Sequence, residues 1–79
     1  MDMRDATTLG QRLRATRLVR GLTQDALAER SGVDARVIRR LGRGDALARR
    51  FTTIAALARV LDIAPSWLLS DDPDAPGGP

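Results

Sequence analysis

The 79-residue sequence has no cysteine, no histidine, no lysine and no tyrosine. Without cysteine there is no disulfide framework and no thiol chemistry, and without histidine the usual zinc ligand sets are gone as well. The same four absences leave no histidine, cysteine, lysine or tyrosine to act as nucleophile or base, and no catalytic residue, no enzyme activity and no cofactor are expected. Asp71, Asp72 and Asp74 are the densest group of carboxylates, but closely spaced aspartates in a Pro/Gly-rich stretch read as solubilising, and no metal site is expected. Long apolar runs are missing too: nothing approaches the roughly 18 residues needed to span a membrane. Met1-Asp2-Met3-Arg4-Asp5 leads into no apolar leader core. The expectation is a soluble, cytoplasmic protein with no membrane partner. A chain of this length buries only about 60% of its unfolded surface and supports one small domain.

What the sequence does have is arginine. All thirteen basic residues are arginines, placed between Arg4 and Arg59. Residues 1–70 carry thirteen positive against seven negative charges, a net of +6, and the three aspartates of the tail reduce this to +3. Such a balance favours a polyanionic partner. Arginine keeps its charge and presents a rigid fork of donors suited to phosphate and to guanine. A GC-rich genome accounts for arginine over lysine, but not for where the arginines fall.

Local signals divide the chain into helices. Thr8 can cap a first helix running to about Arg20, with Gly21 at the left-handed position that ends many helices. Its inner face carries Leu9, Leu13 and Thr16 with Arg17 beside them, while Leu18 points the opposite way. "TQDALAERSG" follows, with Thr23 as cap, Asp25 near the positive end of the dipole, Leu27 and Ala28 facing inward, and Gly32 as stop. Val33 is expected as a buried plug. Asp34 caps a third helix from Ala35 to about Leu41, ended by Gly42 and Gly44. "DALARR", residues 45–50, reads as irregular, with room for one helical turn. Phe51, Ile54, Leu57, Ala58 and Leu61 recur at helical spacing and predict a fourth helix over 51–61 that supplies much of the core. Ile63 resumes the apolar pattern, Pro65 suits a first helical position, and "SWLL" completes a short fifth helix with Trp67 and Leu68 or Leu69 inward. Residues 1–7 read as a flexible N-terminus, 8–70 as the domain, and 71–79 as a disordered acidic tail or linker.

The third helix concentrates the chemistry. At about 100° per residue, Val37, Ile38 and Leu41 fall on one side and Ala35, Arg36, Arg39 and Arg40 on the other. Arg43 joins the basic side if the helix runs on. A solvated helix face normally mixes signs, because like charges three and four apart repel by a few tenths of a kcal/mol. Three arginines with no acid among them ask for an anion. "LAERSGVDARVI" also sets two short helices around a three-residue turn, with Gly32 supplying the positive φ and small Ala28 allowing a close crossing. That is the helix-turn-helix spacing, in which the second helix of the pair enters the major groove of DNA.

"LRATRLVRGLTQDALAERSGVDARVIRRLGRG" followed by "IAALARVLDIAPSWLL" resembles the phage repressor and Cro-like helix-turn-helix family, also called XRE, over residues 9–69. The resemblance implies an all-α, compact five-helix bundle of the lambda-repressor-like type with the helix-turn-helix at helices 2 and 3. It implies a transcription regulator of bacterial or phage type, a repressor or an activator, that binds double-stranded DNA as a homodimer on a two-fold operator. Ala35, Arg36, Arg39 and Arg40 match the positions facing the bases, with Arg36 favoured for guanine O6 and N7 and Ala35 for a thymine methyl. Thr23 and Gln24, at the start of the second helix, match phosphate contacts. Arg43 and Arg50 also match phosphate-contacting positions, and Arg40 leans the same way. A further C-terminal domain or protein partner is compatible with the resemblance. The alternative in another class is a protein-interaction module, such as an antitoxin using the same fold. Two departures stand out. Many members carry a glutamate where this sequence has Gly42, paired with an arginine matched here by Arg17, and many carry leucine at Thr16. Arg17 must therefore reach water, another acceptor such as a helix carboxyl end, or a phosphate.

Overall fold

The computed structural model describes residues 8–69. Five α-helices follow one another: α1 Leu9–Val19, α2 Gln24–Ser31, α3 Ala35–Gly42, α4 Phe51–Leu61 and α5 Pro65–Leu68, with a 3-10 turn at Ala46–Ala48 between α3 and α4. The all-α, five-helix expectation holds, and the described residues contain no strand. The flexible N-terminus and the acidic tail expected at 1–7 and 71–79 lie outside the described residues.

The boundaries follow from local chemistry. Thr8 accepts from the Gln11 amide at 3.1 Å while the Gln11 side chain accepts from the Thr8 amide at 3.2 Å, a reciprocal capping box. Thr23 accepts from the Ala26 amide at 3.0 Å, and Asp34 from the Arg36 amide at 2.8 Å. These caps satisfy donors that have no partner inside the helix, each worth about 1 kcal/mol. The closing turns are as regular. After α1 the Leu22 amide reaches back to Arg17 O and the Gly21 amide to Leu18 O; after α3 the Asp45 amide reaches Arg40 O and the Gly44 amide Leu41 O. Both are Schellman closures with a glycine in the left-handed region. α4 closes with the same pair of bonds, but Asp62 takes the left-handed position at φ 57. The expected stop at Gly42 is one residue early, because Gly42 is the last helical residue and Gly44, at φ 82, makes the turn.

Leu9, Leu13, Leu22, Leu27, Ile38, Leu41, Ile54, Leu57, Leu61 and Leu68 form one contiguous core drawn from all five helices and the α1–α2 turn. Two expectations fail here. Phe51 is 67% exposed. The first turn of α4 stays exposed or half-buried and burial begins at Ile54, since periodicity sets the angle of a side chain around the helix but not whether a neighbour reaches that end of it. Val33 is half-buried against the core, not a closed plug. The α1–α3 crossing depends on a residue that periodicity passes over: Gly10 is buried, and a Cβ built there meets Gly42 O at 2.8 Å.

Three arginines of α1 and its C-cap, Arg12, Arg17 and Arg20, donate to backbone carbonyls. Arg12 donates to Trp67 O at 2.7 Å and stacks 5.2 Å from the Trp67 ring centroid, tying α1 to α5. Arg20 donates from Nε to Leu61 O at 3.0 Å, placing a cation at the negative end of α4. Arg17 donates to Leu22 O at 2.6 Å, so its side chain braces the same turn its own carbonyl closes. This settles the question raised by Gly42: Arg17 uses the other acceptor open to it, a carbonyl of the α1–α2 turn. Thr16, in contrast, is buried with no partner for its hydroxyl.

Candidate nucleic-acid interface

The turn between α2 and α3 is built from three consecutive devices. Gly32 at φ 76 donates to Ala28 O at 2.9 Å and ends α2. Ser31 then ties the turn, its hydroxyl donating to Ala28 O at 3.4 Å and accepting from the Val33 amide at 3.2 Å. Asp34 starts α3. A side chain at position 32 would meet no neighbour, so glycine is required there for its φ alone.

This turn fixes the rotation of α3 about its axis. Ile38 and Leu41 are fully buried and Val37 is half-buried, which leaves Arg36, Arg39, Arg40 and Arg43 exposed and Ala35 half-buried. Arg36 and Arg39 have no carboxylate partner among the described residues, and Arg43 has only the longer-range attraction of Asp45. Arg40 differs, because its Nε donates to Asp45 at 2.9 Å. Asp45 also accepts from the Leu47 amide at 2.9 Å and so caps the 3-10 turn. The Arg40 hydrogen bond, helped by the Leu47 amide, holds the Asp45 carboxyl below its ordinary range. Sequence reading missed this pair: the two residues are five apart, and only the reversal at Gly44 folds Asp45 back over the end of α3. Acids thus sit at both ends of α3, Asp34 as cap and Asp45 on Arg40, and none on its outer face.

A family model described as a helix-turn-helix domain matches residues 8–68. The chain belongs to the helix-turn-helix domain family. No curated protein and no solved structure gives a significant match. The family match agrees with the resemblance read from residues 9–69, and it takes in all five helices.

Within this helix-turn-helix domain the expected site residues separate into groups. Gln24, Arg39 and Arg43 converge on one concavity between α1, the start of α2, and α3. Arg14 and Arg17 line the same concavity from α1. Arg14 went unremarked in the sequence, although it lies one helical turn from Gly10 and Leu18 on the α1 surface. Ala35 and Arg36 stand apart at the beginning of α3, and Thr23 is spent on capping α2. Arg50 is exposed at the start of α4, with no side-chain capping bond there. No group of three or more acids among the described residues is placed to hold a metal ion, and no described helix is long and apolar enough to cross a membrane.

Proposed function

We propose that this domain binds double-stranded DNA in a sequence-specific manner as part of a transcription regulator, with α3 in the major groove and α2 lying across the backbone. The observation that carries the reading is the exposed, acid-free arginine face of α3, held outward by the Gly32 turn and by burial of Ile38 and Leu41. Residues 8–70 are the binding unit. Arg36 reads guanine, Ala35 meets a thymine methyl, and Arg39 flanks them. Arg40, oriented by Asp45, keeps its two amino groups for a base edge or a phosphate. Gln24, Arg43 and Arg50 hold phosphates, and Thr23, whose hydroxyl accepts from the Ala26 amide, donates its O–H to one. A two-fold dimer would set two such helices about 34 Å apart along the duplex. A cytoplasmic regulator of bacterial or phage type, repressor or activator, fits this arrangement.

Selection of bound sequences from a random duplex pool tests the reading, because half-site, spacing and symmetry appear together. Within the selected site, Arg36→Ala relaxes the preference at one base position. Arg43→Ala weakens all sequences alike and lowers the salt slope by about 0.9, the share of one phosphate. A pool that returns no enriched sequence, with no salt-sensitive binding to any duplex, refutes it. The exposed apolar side chains Leu18, Val19, Leu47 and Phe51 favour a second reading, a protein-interaction module of the antitoxin kind. Co-purification of a protein partner, together with absence of duplex binding, would select it.

A further inference from the structure

The concavity between α1, α2 and α3 has a volume of about 290 Å³. Its wall carries four arginines, Arg14 and Arg17 from α1, Arg39 from α3 and Arg43 just after it, together with Gln24 and no acidic residue. Its floor is apolar, made by Leu13 and Ile38. Gly42 lines the same space, and a Cβ added there would meet nothing within 4 Å. Arg17 is half-buried, and one of its amino groups is bonded to the neutral carbonyl of Leu22, so its charge is partly desolvated without a counter-ion among the described residues. Converging like charges and a desolvated cation both cost free energy unless an anion shares the space.

We propose that this cavity is a receptor for one phosphate group carried by a small molecule. A phosphate monoester bears about −1.5 to −2 charge at pH 7 and three strong acceptor oxygens. It can take forks from several guanidinium groups approaching from different sides, whereas a carboxylate has only two oxygens to share among four. The volume corresponds to about ten waters and lies near the lower edge of small-molecule sites, enough for the phosphate and part of an ester substituent against Leu13 and Ile38. Gln24, Arg39 and Arg43 are also proposed DNA contacts, so the bound anion competes with duplex; that consequence, and not the site itself, rests on the DNA reading.

The test is an NMR titration of the full chain with inorganic phosphate at constant ionic strength, following the arginine Nε–H signals. The four cavity arginines shift together and saturate, while Arg36 and Arg59 stay still. Arg14→Gln weakens binding by about tenfold, the loss of one charge-assisted contact. Gly42→Glu fills the space with the protein's own carboxylate and abolishes the response, and circular dichroism shows that this variant remains folded. A uniform response of all arginines, a failure to saturate, or indifference to both variants overturns the proposal. So does a set of cavity signals that answers to a short DNA duplex but never to phosphate, which would make the cavity a part of the backbone contact. Phosphate binding in a protein that binds no duplex upholds this site and removes the DNA reading.

Discussion

Gly10 and Gly42 face each other where α1 crosses α3, and their substitution should have opposite effects. At Gly42 an added Cβ meets nothing within 4 Å and the backbone is ordinary helix. Gly42→Ala therefore realises the helical preference of alanine over glycine, up to about 1 kcal/mol, and nearer 0.5 in a last turn. Gly42→Glu keeps most of that gain. Its carboxylate, entering among Arg17, Arg39 and Arg43, adds about 0.3–1 kcal/mol of partly exposed pairing. It loses a similar amount from a negative charge at the C-terminal end of the dipole. Gly42→Glu should stabilise by about 0.5–1 kcal/mol, which in a domain of this size raises Tm by about 2–8 °C. At Gly10 the balance reverses. The new Cβ lies 2.8 Å from Gly42 O and 3.0 Å from Leu41 O, backbone atoms that cannot rotate away. Overpacking of about 1–3 kcal/mol exceeds the helical gain, and Tm falls. Thermal melts of Gly10→Ala, Gly42→Ala and Gly42→Glu, with a double-mutant cycle between Gly42→Glu and Arg17→Gln, separate the contributions. Gly42→Ala melting below the parent, or Gly10→Ala above it, would refute this crossing geometry.

Thr16→Val removes a buried hydroxyl that has no partner and keeps its shape, so stability should rise by about 1 kcal/mol; an unchanged Tm would mean the hydroxyl is satisfied in solution. Arg20→Met removes the bond to Leu61 O and the cation at the end of α4, lowering stability by about 0.5–1.5 kcal/mol without changing the salt slope of duplex binding. A shallower slope would show that Arg20 contacts phosphate and not only α4. Asp45 titrates below its ordinary 3.8 because Arg40 and the Leu47 amide favour its charged form. The folded value is the depressed one, so the stability it contributes is complete above 3.8 and is lost as pH falls through the folded value. Carboxyl NMR should show this, and Arg40→Gln should move the midpoint back up; a midpoint unmoved by that substitution would sink the pairing.

Nearly every helix boundary was legible in the residues, because caps and closures act over three to five positions. Thr8, Thr23, Asp34 and Gly32 each bond where a local rule puts them. The outward face of α3 was legible for the same reason, since burying Ile38 and Leu41 on a short helix leaves Arg36 and Arg39 no other side. Phe51 was misplaced because its spacing with Ile54 and Ala58 says nothing about how far the bundle extends along α4. The 3-10 turn at Ala46–Ala48 was half seen, as one possible turn, because its cap Asp45 had not been recognised as a partner of Arg40.

By itself the sequence determined the order and limits of the helices, the tight turn ahead of α3, and the basic character of the outer face, all consequences of neighbouring residues acting through fixed helical geometry. Only the tertiary structure decided which arginine does what. Arg12 and Arg20 find carbonyls 55 and 41 residues away, Arg17 braces a turn, Arg40 holds Asp45, and Arg14, Arg17, Arg39 and Arg43 line one space beside Gly42. A guanidinium has the same charge and the same donors at every position, and its acceptor here is most often a backbone carbonyl, a group every residue possesses. Nothing in a linear pattern can mark which carbonyl folding will bring within reach.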